Sequence, residues 1–442
     1  MNGGLLLVET KIVEFTKPVL QGDMAVPGDK SISHRAVMLG SIAKGQTQIT
    51  GFLDGEDCLH TIDIFRQLGV SIERDGTSVM IDSPGMQEWE TPADNLYAGN
   101  SGTTARLMLG ILAGSTINSV LTGDESLSKR PMNRVTLPLA SMGASIAGDS
   151  DSNLLPISIT GVTLSAIDYE MPVASAQVKS AILFAGLNAE GTTTISEETV
   201  SRDHTERMLL QFGAKIRVDG NKVHVKGGNV LHGTDVIVPG DISSAAFFMA
   251  AAAMIKGSSV TFTNVGLNPT RTGIIDVLES MGARVEILEK VDGIGEPYGT
   301  VNVSTEGLRG TEISGNLIPR LIDELPIIAL MATQAVGTTI IKDAGELRVK
   351  ETDRIAAVTS ELKKIGANIE ATDDGMIIHG PSKLSGGTLA SYGDHRLGMM
   401  AGIAALVASS PIHIENPACI AVSYPGFFDD LEKLTVSKNA KG

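Results

Sequence analysis

The sequence predicts an α/β chain of six similar units grouped as two domains of three. Three observations predict it. A glycine followed by a β-branched run recurs roughly every 70 residues. An apolar helix candidate precedes each copy, and one four-residue peptide occurs twice, three units apart.

The recurring run reads GQTQIT from Gly45, GSTINSV from Gly114, GTTTIS from Gly191, GSSVTFT from Gly257 and GTTII from Gly337, with a degenerate sixth copy at Ser410-Pro-Ile-His-Ile. Such β-branched stretches suit a pleated, half-buried strand. The helix candidates before them are Ala36–Ala43, Ala105–Ala113, Val178–Leu187, Ala245–Ile255, Leu325–Val336 and Leu397–Ala408. They are apolar nearly all round, which predicts burial.

After each strand comes an amphipathic helix ending in a shared signature: LGVSI at 68–72, MGASI at 142–146, FGAKI at 212–216, MGARV at 281–285 and IGANI at 365–369. Glycine there closes the helix in left-handed backbone, and the branched residues after it open a strand. The unit is therefore buried helix, strand, exposed helix, strand, strand. The sixth copy keeps its second helix, Phe427–Leu434, but the chain ends before its strands; the N-terminal strand Val13–Val26 is expected to supply what is missing.

The doubled peptide is Val26-Pro-Gly-Asp29 and Val238-Pro-Gly-Asp241. It marks two crossovers. One domain takes residues 1–26 plus 240–442, and an inserted domain takes 27–239. Two linkers would cross one cleft, an arrangement suited to hinge closure.

Composition narrows the function. The 442 residues are 42% hydrophobic and 19% charged, with a net charge of −16. That balance lacks the basic footprint of a nucleic-acid binder, so an anion site must be built locally. Cys58 and Cys419 form no C-x-x-C pair, and the eight histidines show no metal-ligand spacing. No disulfide framework, metal or membrane span is expected, and a reducing cytoplasm fits.

The polar residues gather where the buried helices begin: PGDKSISHR (27–35), GNSGTTAR (99–106), VASAQVK (173–179), GDISSAA (240–246), IDELP (322–326) and YGDHR (392–396). N-capping accounts for the Ser, Thr and Asp. It does not account for Lys30, Arg35, Arg106, Lys179 and Arg396, because cations oppose the helix dipole there. Backbone N–H groups plus cations do suit phosphate or carboxylate. PGDKSISHR is not a phosphate-binding Walker loop, since Asp29 separates Gly28 from Lys30.

Three further stretches are polar: LSKRPMNR (127–134), SRDHTER (201–207) and LRVKETDR (347–354). Each has a plain alternative as a solvated turn or helix start. In the last, Lys350 and Arg354 would share a helix face, and Glu351 and Arg354 would form an i,i+3 pair. Asp323, Glu324 and Glu351 are candidate acid/base carboxylates.

Taken in order, PGDKSISHR, GNSGTTAR, SKRPM, SAQVKSA, RDHTE, NPTRTG, IDELP, RVKETDR and YGDHR resemble the 5-enolpyruvylshikimate-3-phosphate synthase family along essentially the whole chain. The resemblance implies two inside-out α/β domains, each of three βαβαββ repeats. It implies transfer of the enolpyruvyl group of phosphoenolpyruvate to the 5-hydroxyl of shikimate 3-phosphate, in the shikimate pathway to chorismate and the aromatic amino acids. No metal or organic cofactor, nucleic acid or membrane is implied, and the enzyme would be a cytoplasmic monomer.

By the same resemblance, Lys30, Gly102, Arg130, Gln177, Arg354 and Arg396 contact phosphoenolpyruvate. Lys30, Ser31, Arg35, Ser175, Ala176, Gln177, Arg202, Asp323 and Lys350 contact shikimate 3-phosphate. Asp323 is then the base on the acceptor hydroxyl, and Glu351 and Lys30 are the proton donors. The chain departs from many relatives at Val422, where they carry Lys. Ala176, with RDHTE and NPTRTG, resembles the glyphosate-tolerant bacterial subgroup, whereas Gly102 is typical of sensitive enzymes. Two rival functions stand beside this one. A UDP-N-acetylglucosamine enolpyruvyl transferase generally carries a loop cysteine, which 122–134 lacks. A non-catalytic anion-binding relative would lose the carboxylates.

Overall fold

A computed structural model describes residues 9–16, 18–149 and 153–437. The chain divides into two compact units. One takes the described residues up to Val26, then Gly240–Val291 and the chain from Tyr298 on; the other takes Pro27–Pro239 and Asp292–Pro297. The six residues 292–297, which the sequence placed in the terminal domain, group with the inserted one. Their Glu296 Oε1 lies 2.7 Å from His204 Nδ1, and both side chains are buried.

Helices alternate as the repeat predicts. In chain order they are α1 (Lys30–Ile42), α2 (Glu56–Gln67), α3 (Gly102–Ala113), α4 (Asn133–Ser141), α5 (Ala176–Gly186), α6 (His204–Gln211), α7 (Ile242–Met254), α8 (Gly273–Ser280), α9 (Leu325–Ala332), α10 (Arg354–Lys364), α11 (His395–Ala404) and α12 (Phe427–Leu434). The odd-numbered helices are the buried ones. In α7, every residue from Ile242 to Ala253 is buried. The closing glycines have the left-handed backbone the signature requires, with φ of +87° at Gly69 and +99° at Gly366.

In the unit of residues 27–239, each repeat builds one four-stranded sheet. In the first, Gly45–Thr50 pairs antiparallel with Ser78–Ser83, which pairs with Ser71–Asp75. Its parallel neighbour is Val236–Ile237, from the far end of the third repeat, so the unit closes on itself. Burial alternates along the strands, as in Leu154–Thr160, so one face of each sheet covers the helices. Helices lie inside and sheets outside. Where α3 meets α5 the backbones touch: a Cβ on Gly110 would sit 2.1 Å from Ala181 O.

The other unit repeats this plan. Ser259–Gly266 pairs parallel with Pro18–Met24 and antiparallel with Tyr298–Ser304. The span 13–26, expected as one strand, is divided. Thr10–Val13 completes the sixth repeat's sheet against Ile412–Glu415, while Pro18–Met24 serves the fourth. Thr435–Ser437 adds a strand to that same sheet, where the sequence expected none.

Helix boundaries also differ, and the helix expected over 397–408 stops at Ala404. The buried helices begin up to six residues before their apolar runs, because side-chain caps draw the polar entries into the first turn. Asp29 Oδ1 accepts from Ile32 N, and Asp241 Oδ1 from Ser243 N. The helix expected over 325–336 stops at Ala332, where the Thr333 hydroxyl donates to Leu330 O at 2.6 Å.

Candidate active site

Because capping makes the entry residues helical, Lys30 and Arg396 lie in the first turns of their helices. In the unit of residues 27–239, Lys30 opens α1 with its ammonium 3.3 Å from Asp57 Oδ2, at the start of α2. Gly102 opens α3. A Cβ there would sit 3.0 Å from Arg106 Nη1 and 3.6 Å from Arg130 Nη1, so two guanidinium groups flank this backbone. Arg106 Nη1 donates to Gln177 Oε1 at 2.8 Å, and Gln177 Nε2 to Thr103 Oγ1. Arg130 Nη2 donates to Asn100 Oδ1 and Ser126 Oγ. Gly102, Arg130 and Gln177 are thus brought together, with Arg106 as a fourth member. Ser175 caps α5 at Val178 N, and Ala176 opens that helix.

Arg35 makes three hydrogen bonds within its unit. Its Nε donates to Thr205 Oγ1 (2.7 Å), Nη2 to Ser180 Oγ (2.8 Å) and Nη1 to Ser31 O (2.9 Å). It is 3% exposed, and burial pushes its pKa down to about 10. It ties α1 to α5 and α6, with Arg202 close enough to press on its charge. Lys179 is buried, 2.7 Å from both Glu197 and Glu206.

In the other unit, the expected residues Asp323, Lys350 and Glu351 gather at Arg354. Its Nε lies 2.7 Å from Asp394 Oδ2, Nη2 lies 2.8 Å from Glu351 Oε2, and Nη1 lies 3.2 Å from Asp323 Oδ1. Burial pulls the guanidinium pKa down, but Glu351, Asp394 and Asp323 outweigh it and hold the pKa above the usual value. Lys350 Nζ stands 3.6 Å from the same Asp323 oxygen. The expected Glu351–Arg354 pair exists, but not on a helix face. Asp353 caps α10 at Ala356 N, so Lys350 and Glu351 precede the helix. Arg396 lies in the first turn of α11, its side chain 8% exposed and 3.9 Å from Glu324 Oε1. Among the described residues its guanidinium donates no hydrogen bond.

Asp394, Asp57 and Asn100 were missed as partners of these cations. A signal existed for Asp394: it stands at the cap position of its repeat, as Asp29 and Asp241 do in theirs. Among the described residues no three His, Cys, Asp or Glu side chains gather as a metal site would need. No helix among them is long and apolar enough to cross a membrane.

Comparison with known proteins matches the family model "EPSP synthase (3-phosphoshikimate 1-carboxyvinyltransferase)" over residues 16–431. A 3-phosphoshikimate 1-carboxyvinyltransferase of Bacillus licheniformis is 59% identical over 416 residues, covering 94% of this chain and 97% of the relative. The enzyme of that name from Geobacillus kaustophilus is 58% identical, with 94% and 98% covered. The solved EPSP synthase of Acinetobacter baumannii superposes with a TM-score of 0.88 at 44% identity, over 97% of this chain and 98% of that one. The enolpyruvyl transferase NikO of Streptomyces tendae shares the fold, with a TM-score of 0.77 at 19% identity over 97% and 98%.

Proposed function

The chain belongs to the EPSP synthase family, and from that premise we propose how its residues carry enolpyruvyl transfer from phosphoenolpyruvate to the 5-hydroxyl of shikimate 3-phosphate. The acceptor oxygen bonds to C2 of phosphoenolpyruvate while a proton adds to C3, giving a tetrahedral ketal. The C2–O bond to phosphate then breaks, C3 returns its proton, and the enol ether and phosphate leave.

We assign Lys30, Arg130, Arg354 and Arg396 to the donor's phosphate and carboxylate, with the Gly102 N–H and Gln177 beside them. Guanidinium groups suit both anions because their N–H pairs bind two oxygens at once. Ser31, Ser175, Ala176 N–H, Gln177, Arg202, Lys350 and Asp323 serve the acceptor. Arg35, whose guanidinium also donates to Ser31 O, Ser180 and Thr205, is assigned to the acceptor too. Asp323 takes the hydroxyl proton; Glu351 and Lys30 supply the proton to C3.

One observation carries the anion assignment. Arg396 is nearly buried, yet its guanidinium donates to no described residue. Donors left uncommitted within the described residues are available to a carboxylate or phosphate, which a guanidinium binds with paired N–H groups. The enzyme is assigned to the cytoplasm, where Cys58 and Cys419 stay outside any disulfide, and is assigned as a monomer.

The test is phosphate release from phosphoenolpyruvate with shikimate 3-phosphate or UDP-N-acetylglucosamine offered separately. Release with shikimate 3-phosphate alone is expected. Release only with the nucleotide sugar would overturn the acceptor, and binding without release would make the protein a non-catalytic relative. Size-exclusion chromatography checks the monomer.

A further inference from the structure

The buried charges around α7, α9 and α11 extend past the residues assigned to substrate. Arg271, 2% exposed, donates from Nη2 to Ser243 Oγ at 2.7 Å and to Asp241 Oδ1 at 3.1 Å. The Ser243 hydroxyl donates in turn to Glu324 Oε1. Glu324 is fully buried, and that same oxygen faces Arg396 Nη1 at 3.9 Å. Cation, hydroxyl, carboxylate and cation thus follow one another from the 268–271 loop to the first turn of α11.

Stability alone does not explain this chain. Replacing buried ion pairs by packed apolar groups is often neutral or stabilising. The spacing is informative instead. At 3.9 Å, Glu324 balances the Arg396 charge without accepting any of its N–H donors. The Ser243 hydroxyl, itself bonded by Arg271, holds Glu324 Oε1, which opposes the carboxylate closing onto the guanidinium.

We propose that Glu324, held by Ser243 and Arg271, is a positioning residue that orients Arg396 and keeps its donors available to an acidic group of phosphoenolpyruvate. The inference rests on the donor assignment given to Arg396 above. The neutral amide of Glu324→Gln would leave the guanidinium with no carboxylate to orient it. Removing the Ser243 hydroxyl would let Glu324 swing onto Arg396 and compete with substrate.

The experiment measures steady-state kinetics of wild type, Glu324→Gln and Ser243→Ala, varying each substrate in turn. Glu324→Gln should raise KM for phosphoenolpyruvate about tenfold while KM for shikimate 3-phosphate stays within about twofold. Ser243→Ala, which removes one oxygen and keeps the volume, should shift the same KM in the same direction by about threefold. Combined with Arg396→Lys, Glu324→Gln should add little further loss, because the two act through one contact.

Several results would overturn the proposal. One is a KM for phosphoenolpyruvate that is unchanged or lower in Glu324→Gln. Another is an equal rise in both KM values, which a general structural role would give. Full additivity with Arg396→Lys is a third. If Glu324→Gln fails to fold, Ser243→Ala decides alone. Wild type that releases no phosphate would instead sink the reaction assigned to the protein.

Discussion

Asp394 joins Arg354 to Arg396. Its Oδ2 accepts from Arg354 Nε at 2.7 Å, while its Oδ1 accepts both from Arg354 Nη2 at 3.2 Å and from the backbone N of Arg396 at 2.9 Å. One fully buried carboxylate therefore orients a guanidinium and caps the helix that carries a second one. Both arginines are assigned to the same substrate, so their separation depends on this group.

Asp394→Asn keeps the shape and removes the charge. Arg354 would keep Glu351 at Nη2 and Asp323 at Nη1 as its charged partners. Truncating one partner of a buried, hydrogen-bonded charge pair costs several kcal/mol. We expect kcat/KM for phosphoenolpyruvate to fall about 10²-fold, with a lower thermal midpoint. Kinetics within twofold of wild type would contradict the arrangement.

Lys30→Met separates charge from packing. Lys30 is 19% exposed at its side chain and its pair with Asp57 is 3.3 Å long. Such a partly exposed pair contributes at most about 1 kcal/mol to stability, so the unfolding midpoint should barely move. Turnover should nearly vanish, because the ammonium is assigned both to the donor anion and to protonation. A rate assay beside a melting curve checks both halves, and wild-type-like turnover would refute the role.

Much of this was legible in the sequence, and the failures have physical causes. The six repeats showed because each must supply a buried helix, and burial leaves a long apolar run such as Ala245–Ile255. The cations showed because charge at a helix start needs a reason. The direction in which each points did not. Arg35 and Lys179 stand at the same kind of position as Lys30, yet both turn inward to Thr205 and Glu206 respectively. That choice depends on α6, distant in sequence. Glu324 was seen as a carboxylate but not as a partner of Ser243, 81 residues away. The division of 13–26 into two strands was illegible because each pairs with a strand far along the chain.

Asp323→Ala tests the base. The carboxylate stands between Arg354 Nη1 at 3.2 Å and Lys350 Nζ at 3.6 Å, with its side chain 15% exposed. A positioned general base contributes about 10²–10⁴-fold. We expect kcat to fall in that range, with shikimate 3-phosphate affinity, read by calorimetry, falling much less. A loss confined to affinity would make Asp323 a binding residue only.

His34 gives a pH dependence that belongs to the fold. It is fully buried in α1, its Nδ1 bonds Thr61 Oγ1 at 2.8 Å, and its Nε2 meets no hydrogen-bond partner. Burial pushes its pKa well below the usual 6.5, Lys30 and Arg35 push the same way, and Asp29 only partly offsets them. The folded protein thus keeps His34 neutral, while the unfolded chain takes up a proton below about pH 6.5. The stability this provides is full above that pH and is lost as pH falls towards the folded value, by up to about 1.4 kcal/mol per pH unit. Trp89, the single tryptophan, lies in the same unit, buried beside Phe65, so its fluorescence in urea follows this transition. Between pH 6.5 and 5 the wild type should lose stability more steeply than His34→Asn, which has nothing to protonate there. Parallel curves for the two proteins would show that His34 carries no such penalty.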